Sequence, residues 1–386
     1  MTAAALPAGF VAPAYAGRSL AAVLPAAAGA LGVDLTTSTG IVAAQARATL
    51  ALPSAERVCV VLVDGLGYRN LAERSGHAPF LRSLLAGSEP LVTCAPSTTA
   101  AALATFGTGT SPGTTGMVGY TQRDRLTGAL ATMVSWDGAS DPLEVQRETT
   151  VLETLAAAGT PVTTVGPRRF QGSGMTRAAL RGSRYRVAER LADRVDAAVD
   201  VLARPGLAYL YWEEVDHTGH VHGVDSWQWG DRLEATDGEL ASLVRRLPRG
   251  TLVIVTADHG MVDVDPSVRR DVAHDPRLAQ DVDLVGGEPR AVHLYTDRAD
   301  DVAARWTDVL GDDAYVVRRD DAVEAGLFGA VRPDNLGVLG DVLVLSTGLA
   351  TVVDSRTQSA ASIALRGMHG SLTETEMLVP GLVHQS

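Results

Sequence analysis

Four short clusters in the 386-residue sequence carry side chains suited to holding divalent cations. They are Asp64 in VDG, Asp216 with His217 and His220 in DHTGH, Asp258 with His259 in TADHG, and His369 in MHGS. Carboxylate oxygens mixed with imidazole nitrogens suit zinc, manganese or iron better than calcium, which prefers oxygen alone. Six or seven such groups are enough for two ions. A second chemical feature is the run 95–120, APSTTAAALATFGTGTSPGTTGMVGY, in which Ser97, Thr98 and Thr99 open an Ala-rich helical stretch. Hydroxyls placed there sit where backbone N–H groups and the helix dipole stabilise anions. A hydroxyl is a weak nucleophile at its ordinary pKa, and coordination to a divalent ion activates it, so all three are candidate nucleophiles.

Groups so far apart in sequence need a rigid frame to meet. VCVVLVDG (58–65) is an apolar, Val-rich run that ends in an acid and a glycine, the pattern of a parallel strand buried on both faces with its C-terminal end aimed at a site. VTTVG (162–166), LAYLYWEEVD (207–216) and TLVIVTADHG (251–260) repeat the theme. Helical stretches are expected at 149–158, where Thr150 and Glu153 stand in a capping-box relation, at 187–204 and at 226–247. Alternating strands and helices predict an α/β fold with a mainly parallel central sheet and helices on both faces, in which ligands bind beyond the strand C-termini. Asp64, Asp216 and Asp258 are all expected at such ends. The expected organisation is an Ala/Pro-rich strap at 1–55 over a sheet edge, a catalytic core at 56–281 and 339–386, and a small inserted α+β subdomain at 282–338. That insert carries a strand at 291–295, a helix at 299–310 and a strand at 313–317.

Composition narrows the chemistry. All 33 basic Lys or Arg positions are Arg, and there is no lysine. This excludes the Walker A cradle, the kinase β3 lysine, Schiff-base catalysis and pyridoxal phosphate anchoring. A formal net charge of -12 argues against a nucleic-acid polymer as partner and fits metal cations better. No stretch reads as a membrane span, and the basic n-region of a secretory signal is missing before Arg18. Two cysteines, Cys59 and Cys94, make no disulfide framework and read as reduced thiols, so a cytoplasmic protein without a membrane partner is expected.

The order and spacing of these clusters resemble the alkaline phosphatase superfamily, most closely its nucleotide pyrophosphatase/phosphodiesterase branch. The likeness covers about 57–262 and the segment near 369. It implies one metal ion held by Asp216, His220 and His369, and a second held by Asp64, Asp258, His259 and the nucleophile, with zinc the first expectation and manganese or iron possible. The family's nucleophile lies nine residues before the Thr of a Thr-Gly turn; Thr108-Gly109 is that turn here, which selects Thr99, with Thr98 as second choice. Cys94-Ala-Pro-Ser is similar to the sulfatase start, but Thr98 replaces the sulfatase Arg and Cys94 stands fourteen residues before Thr108. The resemblance thus implies hydrolysis of small phosphate esters, preferably diesters or nucleotide pyrophosphates, through a phosphothreonine. A phosphomonoesterase, a phosphonate hydrolase, and a metal-binding or phospholigand-binding protein without turnover are the rivals.

Two positions depart from the family pattern or substitute for it. An Asn usually donates to a phosphoryl oxygen about twenty-one residues after the nucleophile; Tyr120 stands there. Monoesterases of this scaffold with a threonine nucleophile commonly add a Lys-x-Arg pair, which a lysine-free chain lacks; Arg168 and Arg169 in GPRRF are the expected substitutes, since a guanidinium fork suits phosphate oxygens. That lack favours diesters. His217 is expected behind the ligands, with His222 an alternative ligand. Trp227 and Trp229 flank the DHTGH loop as candidate stacking surfaces, Trp212 is expected in the core, and His293, inside an apolar strand, is expected to be a satisfied core histidine.

Overall fold

The computed structural model describes residues 6–386 and shows an α/β architecture built on two six-stranded sheets. The first sheet runs in the order Leu382–Gln385, Leu252–Thr256, Arg57–Val63, Gly206–Trp212, Val162–Gly166, Arg184–Val187. Its last five strands are parallel and only the C-terminal strand, at one edge, is antiparallel. Residues of Arg57–Val63 and Leu252–Thr256 are buried on both faces, apart from the half-buried Arg57, as their unbroken Val/Leu runs require.

Helices Val23–Ala30, Thr99–Thr108 and Val151–Ala157 pack on one another, and a second group joins Pro79–Leu85, Leu191–Val201, Glu214–His222 and Trp227–Arg246. The capping box at Val151–Ala157 is present: Glu153 N–H donates to Thr150 Oγ1 (3.1 Å) and Thr150 N–H donates to Glu153 Oε2 (2.8 Å). The N-terminal segment is more than a strap at a sheet edge. Leu20, Val23, Leu24 and Ala26–Ala28 are fully buried in the main core, because small Ala side chains let helix Val23–Ala30 approach its neighbours closely.

The second sheet is antiparallel: Ala314–Arg318, Val342–Ser346, Ala291–Tyr295, Leu284–Glu288, Thr121–Arg123, Leu130–Thr132. It draws strands from inside 282–338 and from both sides of it, so those boundaries do not enclose a unit of hydrogen bonding. Val342–Ser346 pairs with two strands of the insert, and the hairpin 121–132 extends the sheet at its far edge. No helix among the described residues is long and apolar enough to cross a membrane.

Candidate active site

The C-terminal ends of the central parallel strands converge on one cavity of about 430 Å³. Asp64 directly follows strand Arg57–Val63, and its N–H extends the ladder to Trp212 O (2.9 Å). Asp258 and His259 follow Leu252–Thr256 in a turn held from several directions. Gly65 N–H and His259 N–H both donate to Asp258 Oδ1 at 3.1 Å, Gly260 N–H donates to Glu376 O (2.9 Å), and Asn70 pairs with both backbone groups of Met261.

Asp216 is placed differently from the sequence expectation. The strand ends at Trp212, and Asp216 lies in the first turn of helix Glu214–His222. Helical spacing then puts Asp216 and His220 on one face, with His220 Nε2 3.4 Å from Asp216 Oδ2. The approach of this helix to the first strand depends on Gly65, whose φ of +71° suits glycine and whose missing Cβ would lie 2.9 Å from the Cα and Cβ of Asp216.

Two groups of three result, Asp216/His220/His369 and Asp64/Asp258/His259, each with one ligand atom per residue within 4.8 Å of the others. The groups adjoin: the His259 and His369 rings stack with centroids 3.5 Å apart and planes at 15°. All three imidazoles turn Nδ1 to a backbone carbonyl, His220 to Gly367 (2.7 Å), His369 to Ser97 (2.9 Å) and His259 to Gly260 (3.1 Å). Such bonds fix each ring with Nδ1 protonated and leave Nε2 as a lone-pair donor towards the carboxylates. Buried carboxylate oxygens face the same space without hydrogen-bond partners: Asp64 Oδ1, Asp216 Oδ1 and Asp258 Oδ2. Burial, then the charges of Asp258 and Asp216, push the Asp64 carboxyl well above the usual range, despite a hydrogen bond donated by Tyr211 OH to Asp64 Oδ2. Burial, then His259 and His220, hold His369 well below its ordinary value, hence neutral. Crowded acids without partners beside imidazoles are a donor set suited to cations.

Thr99 opens helix Thr99–Thr108, half-buried in the cavity wall, with Oγ1 3.1 Å from His259 Nε2. Thr98 is the N-cap residue and almost fully buried. Ser97 is turned away: its Oγ donates to Ser371 O (2.6 Å) and accepts from Gly370 N–H (3.2 Å), which locks the MHGS segment to the helix start.

Tyr120 lines the cavity, partly exposed, and its backbone N–H donates to Glu288 Oε2 (2.9 Å). Arg169 also lines the cavity, but Glu213 engages it (2.9 Å), and the fully buried Arg194 engages Glu213 in turn (2.7 Å). Arg168 is exposed and lies outside the lining residues. His217 reaches the rim and is exposed; His222, Trp227 and exposed Val221 flank a neighbouring depression. Trp212 and Trp229 are core residues, and His293 is buried with Nδ1 accepting from Gly340 N–H (3.1 Å). Sequence reasoning missed several lining residues, among them Tyr211, Glu213 and Glu288; Glu288 ends the short strand Leu284–Glu288 and belongs to none of the clusters.

Residues 58–372 match the family described as type I phosphodiesterase / nucleotide pyrophosphatase. The chain belongs to this family. The scaffold is similar to that of murine ectonucleotide pyrophosphatase / phosphodiesterase 5, with a TM-score of 0.68 at 18% identity over 85% of this chain and 88% of that one. It is also similar to phosphonoacetate hydrolase from Sinorhizobium meliloti 1021, solved with phosphonoacetate, with a TM-score of 0.67 at 21% identity over 91% and 93% of the two chains. A phosphopentomutase from Anaeromyxobacter dehalogenans (strain 2CP-1 / ATCC BAA-258) is 32% identical over 145 residues, 36% of this chain. The chain thus matches only 35% of that relative's length.

Proposed function

We propose that this chain is a two-metal phosphodiesterase that works through a phosphothreonine at Thr99. The observation that carries the reading is the pair of adjoining clusters, Asp216/His220/His369 and Asp64/Asp258/His259, whose buried carboxylate oxygens lack partners beside the Thr99 hydroxyl. The donor set suits zinc first, with manganese or iron as alternatives. Divalent ions bound there would supply Lewis acidity towards the phosphoryl and leaving oxygens and lower the pKa of a nearby hydroxyl or water.

The chain's own part is positioning. Thr99 Oγ1 is held at a helix start, where backbone N–H groups favour an anion, and it faces the cavity. In the first step the Oγ1–P bond forms and the bond from phosphorus to the leaving oxygen breaks, releasing an alcohol or a nucleoside phosphate. In the second, water cleaves the Oγ1–P bond and regenerates Thr99. Asp64 is oriented by Tyr211, and His220, His259 and His369 by backbone carbonyls, so the cluster needs little rearrangement.

Charge supports a diester over a monoester. Among the described residues lining the cavity, Arg169 is the only guanidinium, and Glu213 engages it. A monoanionic diester needs less cationic help than a dianionic monoester. Buried, unpaired Cys59 and Cys94 agree with a reducing, cytoplasmic setting. Metal analysis coupled to hydrolysis of bis-p-nitrophenyl phosphate and p-nitrophenyl phosphate tests the reading. Two metal equivalents and faster diester turnover are expected; bound metal without hydrolysis of any ester would leave a binding protein.

A further inference from the structure

The geometry points to Glu288 as a substrate contact: its carboxyl donates a hydrogen bond from Oε1 to a non-bridging oxygen of the transferred phosphoryl group. This rests on the proposed hydrolase reading and adds to it a residue outside the metal clusters. Glu288 ends strand Leu284–Glu288 of the antiparallel sheet and is only 6% exposed, yet it lines the cavity with Thr98, Thr99 and Tyr120. Its two oxygens are used differently. Oε2 accepts from Tyr120 N–H at 2.9 Å, whereas Oε1 is buried without a partner. A buried polar atom left unmatched costs about 1–3 kcal/mol, so the arrangement is favourable only if a ligand completes it.

The backbone is shaped to admit this carboxyl. Gly370, next to His369, has φ +132°, and a Cβ there would stand 2.7 Å from Glu288 Cγ and 3.1 Å from Oε1. Any side chain at 370 would displace Glu288 from the segment that carries His369. Gly65 leaves room for Asp216 by the same means on the opposite sheet.

The phosphoryl oxygen is an acceptor, so the carboxyl must supply the proton. With Oε2 already accepting from an amide, that proton sits on Oε1. Burial supports the acid form, pushing the Glu288 carboxyl up to about 8 against the lowering influence of the nearby Thr98 hydroxyl and the Tyr120 N–H. A neutral donor also avoids setting a negative charge against the substrate.

The test compares the Rp and Sp phosphorothioate isomers of a nucleoside p-nitrophenyl diester in zinc-loaded wild type, Glu288→Ala and Glu288→Gln. Sulfur in place of the contacted oxygen is a poor acceptor. The wild type should therefore discriminate between the isomers, and Glu288→Ala should lose about tenfold of that discrimination, the worth of one hydrogen bond to a charged group. Any thiophilic preference of zinc is common to all three proteins and cancels. Glu288→Gln, which keeps an acceptor for Tyr120 N–H and a donor for the substrate, should retain the discrimination. Equal discrimination in all three proteins overturns the contact and assigns Glu288 to holding Tyr120 alone. Loss in Glu288→Gln equal to that in Glu288→Ala overturns the donor role. Absence of turnover of the unmodified diester by wild type would instead defeat the hydrolase reading, a distinct result.

Discussion

Beyond the C-terminal ends of the parallel strands, Asp64, Asp216 and Asp258 keep buried oxygens without partners, whereas at the hairpin turn of the antiparallel sheet Arg290 is fully matched although Glu288, two residues earlier, leaves Oε1 open. There, fully buried Arg290 donates from Nε and Nη2 to Glu376 (2.7 and 2.9 Å) and from Nη1 to Ala350 O (2.8 Å). Glu376 also accepts from Ser371 N–H (3.0 Å) and Thr373 Oγ1. His293 of the same sheet is satisfied by one backbone amide, while His369 faces two other imidazoles. Both sheets bury ionisable groups; the Arg290–Glu376 pair and His293 are completed within the chain, whereas the three aspartates and Glu288 Oε1 are not. The matched set holds the fold, and the unmatched set is held ready for a ligand, at a cost that binding removes.

Replacing Thr99 should make the sharpest break. Thr99→Ala should lose at least about a thousandfold in turnover of the diester while metal content stays at the wild-type level, because the hydroxyl adds to reaction and not to the cluster's acids. Equal turnover in steady-state assays would remove Thr99 from its role. Next in size, Glu376→Gln should destabilise by about 3–5 kcal/mol in urea unfolding, since it strands a buried guanidinium. A loss under about 1 kcal/mol would show that the matched pair is less dry than its burial implies.

His293 gives a pH test on the matched side. Burial lowers it to about 4 from an unfolded value near 6.5, so the folded state binds fewer protons between those values. Its contribution is complete above about pH 6.5 and is lost as pH falls towards 4, about 3 kcal/mol in all. Urea titrations should show that slope in wild type and a flatter one in His293→Asn. On the unmatched side the sign is reversed. Asp64 is raised in the fold, so its charge weakens the metal-free protein as pH rises through the folded value. Chelated Asp64→Asn should therefore melt above chelated wild type at neutral pH, and the order should invert once zinc is added. Smallest of all, Arg169→Ala should raise KM less than about tenfold with little change in kcat, because Glu213 already occupies the guanidinium.

Much of the parallel sheet was legible because its signals are local. Val-rich runs ending in Asp64 and in Asp258-His259 state both the strand and what it presents, and Thr150 with Glu153 marks a helix start three residues apart. The antiparallel sheet was harder to read. Its strands come from 121–132, 284–295, 314–318 and 342–346, and a boundary drawn by composition at 338 cuts through hydrogen bonds that form only in space. Arg168 and Arg169 are adjacent in sequence, yet only Arg169 reaches the cavity, since the short 3-10 turn 168–170 points them apart. Glu288 had no legible signal: LVGGEPR holds one acid after two glycines, and its partners Tyr120 and Gly370 are remote in the chain.

By itself the sequence determined the kinds of atoms available: carboxylates, imidazoles and a threonine hydroxyl, an all-Arg cation set, and buried strands to carry them. Those follow from composition and short-range periodicity, which need no knowledge of neighbours. Tertiary structure alone decided which polar atoms were left without partners. Whether Asp64 Oδ1 or Glu288 Oε1 is satisfied depends on every group packed against it, and those groups are supplied by segments far apart along the chain.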